Sequence, residues 1–252
     1  MTFLRTEGEG IPAATVIPLR DARQPDGSTA LEVLMLRKNS KIAFGGMWVF
    51  PGGRIDPEDW PDADDPDGPE GPAPPGLELE AATRAAAREA LEEADLLVEP
   101  AGMVPFSHWT PPEDMAMNST KRFLTWFFVC RAPVGEGGVV TIDHGEIHDH
   151  EWVRPADMLR RRDAGEIQLV PPTFVTLHEL AAHADVDEAL AAARDRTPPR
   201  YATRILPSED GAALVALWEE DEAYEHGDLS RAGPRHRLVM AEPAWRFEVR
   251  PV

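Results

Sequence analysis

The chain has one cysteine, Cys130, in 252 residues, so no intrachain disulfide can form and a reducing compartment is expected. A lone thiol in an apolar stretch is expected to act as a small buried hydrophobe. Basic residues are scarce: 25 Lys and Arg stand against 45 Asp and Glu, a formal charge of −20. A field of that sign opposes nucleic-acid backbones and anionic membranes. A small polyanion would have to be received by a local basic patch and metal ions. No apolar run approaches the roughly 18 residues that cross a bilayer, and the N-terminal MTFLRTEGEG has no apolar core of a signal peptide. A soluble, cytoplasmic protein is expected, with no nucleic-acid and no membrane partner. There is no internal repeat. The 42% of hydrophobic residues suffice for one large domain, or one domain with an extension.

Against this background one stretch concentrates both apolar periodicity and negative charge. From Glu78 the chain runs ELEAATRAAAREALEEADLL, with Leu79, Ala82, Ala86, Ala90, Ala94 and Leu97 at steps of three or four. That spacing predicts an amphipathic helix over Glu80 to Leu97. Glu89, Glu92 and Glu93 stand at i, i+3 and i+4, so three carboxylates converge along one helix edge. Glu93 shares the azimuth of Ala86 and Ala90 and points toward the apolar side, where an anion needs a partner. Arg84 and Arg88, the basic residues of the helix, do not share that azimuth. Two readings follow. The edge is a solvated acidic face, or it holds a hard divalent cation, which takes oxygen ligands and is commonly shared with substrate phosphates.

Upstream, Phe50-Pro51-Gly52-Gly53 precedes Glu80, Arg88-Glu89, Glu92-Glu93 and Leu96. Together these resemble the Nudix box: a Gly, five residues, Glu, seven residues, Arg-Glu, an apolar residue, any residue, Glu-Glu, any residue, Gly and an apolar residue. Two departures stand out. Residues 54 to 79 make 26 positions where the pattern has five, which reads as an insertion. Asp95 stands where the pattern has Gly, at a helix end that wants a left-handed backbone, which Asp tolerates better than most.

The rest of the chain gives a mixed α/β picture. Ala14–Leu19 and Leu31–Leu36 read as strands around the turn Gln24-Pro25-Asp26-Gly27-Ser28. Arg37, Lys38 and Lys41 follow, either to receive phosphate oxygens or to solubilise a loop tip. The paired Gly52 and Gly53 permit close approach of backbone to a ligand or to the helix. Residues 54–76 alternate Pro with Asp and Glu and read as an exposed loop. Gly102–Trp109 reads as a strand, and Arg122–Cys130, apolar on both alternations, as a central strand covered on both faces. Trp109 and Trp126 are expected in the core, with stacking on a base as the other reading. In Asp143–Glu151, His148 and His150 would share a strand face, which leaves a zinc reading open beside plain surface charge. A strand through Glu151–Val153, a helix from Pro155, two helices over Pro171–His183 and Val186–Arg194, and strands over Tyr201–Leu206, Ala212–Trp218, Arg237–Met240 and Trp245–Val249 complete the pass.

The resemblance implies an α/β/α sandwich with a mixed central sheet over residues 1–165, followed by a helical and β-rich C-terminal extension over 166–252. It implies that Glu89, Glu92 and Glu93 hold Mg²⁺ or Mn²⁺, with Glu89 or an outside carboxylate as base. Arg88 is then structural, paired with Glu80. A further metal carboxylate is expected ahead of the last helix, Glu146 first and Glu151 in reserve. Arg37, Lys38, Gly52 and Gly53 are the expected substrate-binding residues. The implied activity is hydrolysis of a nucleoside diphosphate linked to another group. The long insertion, Gly52-Gly53-Arg54-Ile55-Asp56 and the extension look like the branch with the peroxisomal coenzyme A diphosphatase, which points to coenzyme A or acyl-coenzyme A. Arg250-Pro251-Val252 is not a peroxisomal signal. ADP-ribose or NADH hydrolysis, and a non-catalytic nucleotide sensor, stay open. So does the role of the tail: sheet cover, pocket wall or homodimer contact.

Overall fold

The computed structural model describes residues 10–39, 45–61, 75–112, 122–142 and 145–250. Along the chain come β1 (Ile11–Arg23), β2 (Thr29–Lys38), β3 (Trp48–Val49), β4 (Gly52–Arg54), α1 (Pro75–Ala94), β5 (Val104–Thr110), β6 (Phe123–Arg131) and β7 (Ile147–Val153). Then follow α2 (Pro155–Asp163), α3 (Pro171–Leu180), α4 (Val186–Arg194), β8 (Arg200–Ala202), β9 (Arg204–Pro207), β10 (Leu214–Leu217), α5 (Ala223–His226), β11 (Arg235–Met240) and β12 (Arg246–Arg250).

The expected hairpin forms between β1 and β2 because the turn chemistry closes it. Gln24 N–H donates to Ser28 O at 2.8 Å, and Asp26 Oδ1 accepts from the Ser28 N–H and hydroxyl at 2.9 and 2.6 Å. Gly27 takes the left-handed position with φ 86°. β1 runs parallel to β6, which is antiparallel to β5, while β7 lies antiparallel to β2. β3 extends beside β2, β4 beside β1, and β8 joins β5 in parallel, giving a mixed sheet of eight strands.

Strand alternation divides the core into two layers. Ala14, Val16, Leu34, Leu36, Phe128 and Cys130 face α1, whereas Ile17, Leu19, Val33, Met35, Phe127 and Val129 face α2, α3 and α4. The central strand β6 is thus covered on both sides, as its sequence predicts. Ala81, Ala82, Ala85, Ala86, Ala90 and Ala94 are fully buried, so α1 presents mostly methyl groups to the sheet and its backbone can lie close to it. Asp95 ends the helix at φ 54°. The predicted continuation to Leu97 is therefore corrected: past the left-handed residue Leu97 leaves the stripe and is 60% exposed.

Two further expectations change. The start of the acidic segment is only partly exposed, because Ile55 and Trp60 are buried against the α1 layer and Pro57–Asp59 forms a 3-10 turn with Asp59 buried. Residues 62–74 of that segment lie outside the described residues. The single strand expected over Tyr201–Leu206 is two: β8 belongs to the main sheet and β9 to a second sheet ordered β12-β11-β10-β9.

The part after residue 165 shares the core of the rest. Ala216 and Leu238 of the second sheet, with Trp218 just after β10, join the layer that holds α3 and α4. Trp109 stacks on Tyr201 with ring centroids 3.9 Å apart and meets Trp218 edge-on, which places Trp109 in the core. Arg162, buried on α2, donates to Pro243 O and Glu242 Oε1, each at 2.8 Å, and ties the second sheet down. Among the described residues no helix is long and apolar enough to cross a membrane.

Candidate active site

The last turns of α1 lie over β4, and two glycines make that approach possible. A Cβ on Gly53 would collide with the Glu89 carboxylate, and one on Gly52 would come within 2.6 Å of Ala14 O. Glycine at both positions lets one face of β4 receive Glu89 while the other chain contacts of β1 are kept. Glu93, only 4% exposed, accepts a hydrogen bond from Gly52 N–H at 3.1 Å and pairs with Lys38 Nζ. Burial pushes the Glu93 carboxyl above its ordinary pKa, opposed by Lys38 and the Gly52 N–H. Burial does the same at Glu89, opposed by Arg88. Glu92 stays near the surface, 3.2 Å from Arg88 Nη1.

Arg88 reaches a different partner from the one expected. Its Nε and Nη2 grip Asp59 Oδ1 and Oδ2 at 3.2 and 2.9 Å, and Nη2 also donates to Arg54 O at 2.9 Å. Glu80, the expected partner, is taken instead by Arg84 at 2.6 Å. The pairing of Arg88 with Glu80 is therefore corrected, for a geometric reason: Glu80 and Arg84 are one turn apart and meet on the exposed side, away from the loop. Asp59 was not among the expected site residues, yet it stands after Gly53 at the five-residue spacing of the box. That spacing is the signal that could have found it. The insertion accordingly lies after Asp59, between it and Arg88.

Glu146 and Glu151 separate clearly. Glu146 Oε2 lies 3.5 Å from Lys38 Nζ, so it joins Glu93 around one ammonium. Glu151 turns to the α2 side and pairs with Arg161 at 2.7 Å. Lys38 and Arg37 are split by strand alternation: Lys38 points to the α1 layer with Leu34 and Leu36, and Arg37 is exposed with its Nε toward Gly46 O. Lys41 lies outside the described residues. His148 and His150 are exposed on β7. Trp126 packs beside the α1 layer and donates to Glu78 Oε1 at 3.2 Å.

Among the described residues no three Asp, Glu, His or Cys side chains gather round one point that could hold a metal ion, and Glu89, Glu92 and Glu93 are each turned to a basic partner. The donor set nevertheless fits a hard divalent cation. Glu89 and Glu93 are carboxylates crowded over glycine backbone, and a cation already stands between Glu93 and Glu146 in the form of the Lys38 ammonium.

The chain matches the family model described as NUDIX domain over residues 11–172. No curated protein matches it. Among solved structures, a NUDIX hydrolase from Alicyclobacillus acidocaldarius is 23% identical with a TM-score of 0.57, the alignment covering 74% of this chain and 97% of that one. A MutT NUDIX hydrolase from Burkholderia pseudomallei is 16% identical with a TM-score of 0.45, covering 68% and 98%. The NUDIX domain of Shewanella oneidensis NrtR, solved with ADP ribose, is 16% identical with a TM-score of 0.44, covering 69% and 88%. Because the family match runs without a break from β1 through β4 and α1 to the start of α3, this chain belongs to the Nudix family.

Proposed function

We propose that this protein is a divalent-metal-dependent hydrolase of the diphosphate bond in a nucleoside diphosphate linked to a second group, with coenzyme A or acyl-coenzyme A as the first substrate to test. The observation that supports this reading most is the seating of Glu89 and Glu93 over Gly52 and Gly53, where a single Cβ would abolish it. Glu89, Glu92 and Glu93 would hold Mg²⁺ or Mn²⁺, with Glu146 as the carboxylate from outside the helix. Such an ion supplies Lewis-acid polarisation of the phosphoryl oxygens. Nudix hydrolases generally need divalent metal ions.

The chain's own groups have separable tasks in this reading. Arg88, gripped by Asp59 and Arg54 O, holds the loop against the helix and does not meet substrate. Its Nη1 on Glu89 Oε1, at 2.9 Å, fixes that carboxylate's rotamer. Glu89, partly desolvated and raised in pKa, is the candidate to accept the proton of the attacking water. With a net charge of −20, the chain supports a small nucleotide over long RNA, and its single cysteine supports a cytoplasmic setting.

One observation favours a second reading, a nucleotide sensor without turnover: Lys38 already neutralises Glu93. Product analysis by mass spectrometry with Mg²⁺ separates the readings, on a panel of coenzyme A, acetyl-coenzyme A, ADP-ribose, NADH and diadenosine polyphosphates. Phosphopantetheine with adenosine 3′,5′-bisphosphate supports the coenzyme A reading. AMP from ADP-ribose or NADH moves the substrate to those compounds. Ligand-dependent melting without any product favours the sensor.

A further inference from the structure

We propose that Lys38 is an exchangeable counter-ion of the metal site, neutralising Glu93 and Glu146 until a divalent cation takes Glu93 from it. The inference rests on the metal-dependent reading above. Lys38 is the last residue of β2, and alternation sends its side chain under α1, where it is 11% exposed. Its ammonium pairs with Glu93 Oε1 and stands 3.5 Å from Glu146 Oε2. The segment that carries Glu146 is pinned to β2 by Asn39 N–H, which donates to Glu146 O at 2.7 Å. Glu93 has both oxygens engaged, one by Lys38 and the other by Gly52 N–H.

A divalent ion that ligates Glu93 Oε1 would meet this ammonium at contact distance, and two cations so close in a half-buried site repel strongly. One must yield, and lysine is built to do so. Its charge is a compact point on a flexible stem, so it can leave Glu93 and keep the exposed Glu146. Arg88 cannot make that move, because its fork is committed to Asp59 and Arg54 O. Lys38 therefore compensates two carboxylates when no metal is bound and weakens metal binding by competition.

The test is a titration of metal-free full-length protein with Mn²⁺, followed by electron paramagnetic resonance of the free ion, for wild type, Lys38→Met and Lys38→Arg. Lys38→Met should bind Mn²⁺ about tenfold more tightly, and Lys38→Arg should stay within about threefold of wild type. If Lys38→Met does not fold by circular dichroism, Lys38→Gln takes its place, with the same tightening expected. Equal or weaker binding by the folded neutral variant, while wild type binds, overturns the counter-ion role alone. No Mn²⁺ binding by wild type or by either variant overturns both this role and the metal-dependent reading.

Discussion

Arg88 closes on Asp59 across 29 residues of chain, with contacts of 3.2 and 2.9 Å that bridge the acidic insertion. The pair converts a long loop into a short one as far as the site is concerned. Whatever path residues 62–74 take, the segment that carries Gly52 and Gly53 is fastened directly to α1. Asp59 is buried and Arg88 about a quarter exposed, so the pair is worth more than a surface bridge.

Asp59→Ala should destabilise the protein by about 2–3 kcal/mol in urea unfolding, since it leaves the Arg88 fork without its main anion. Glu80→Ala removes an exposed pair with Arg84 and should change stability by less than about 0.5 kcal/mol. Equal effects of the two substitutions would return Glu80 to the structural role.

Gly53→Ala should lower kcat by about 100-fold with a folded protein, because the new methyl pushes the Glu89 carboxylate off its seat. Gly76→Ala meets open space at the start of α1 and should leave turnover unchanged. Steady-state kinetics on whichever substrate the panel identifies gives the comparison.

His108 carries a pH signature of stability. Burial, helped by Arg200, lowers its pKa from 6.5 to about 4. Between those values the unfolded chain takes up a proton that the folded chain refuses, so stability is full above pH 6.5 and falls as pH drops toward 4. About 2 kcal/mol should be lost from this group between pH 7 and pH 5. The raised pKa values of Glu89 and Glu93 act in the opposite sense, so the difference between wild type and His108→Phe isolates the histidine. Urea unfolding at the two pH values should show the smaller loss in the variant, and identical losses would contradict the assignment.

Cys130 should resist thiol reagents in the folded protein. It is buried in the α1 layer and burial pushes its thiol up to about 12, so the reactive thiolate is scarce at neutral pH. A colorimetric thiol titration should read essentially no reaction without denaturant and one equivalent with it. Rapid labelling of native protein would contradict the burial.

What could be read from the sequence was local. The alanine stripe of α1, the Asp26–Ser28 turn, the two-faced strand β6 and the left-handed Asp95 each depend on neighbours within a few residues. Contacts made across the chain were harder. Asp59 stands at the box spacing from Gly53, but Glu80 stands at the box spacing from Arg88, and an insertion lets the two spacings disagree. Only the fold shows which acid reaches the guanidinium. β3 and β4, of two and three residues, are too short to carry a periodicity. Lys38 and Arg37 look equivalent as a basic pair, yet alternation along β2 sends one under α1 and leaves the other exposed. Glu146 and Glu151 differ because Glu146 lies in the turn before β7, where it reaches Lys38, and Glu151 lies on β7, where it reaches Arg161.

The most direct measurement is Mg²⁺-dependent product formation by wild type and Glu93→Gln on the diphosphate panel, with circular dichroism of both proteins. Wild type should form a hydrolysed diphosphate, and a folded Glu93→Gln none. Product formed by Glu93→Gln at the wild-type rate would contradict this.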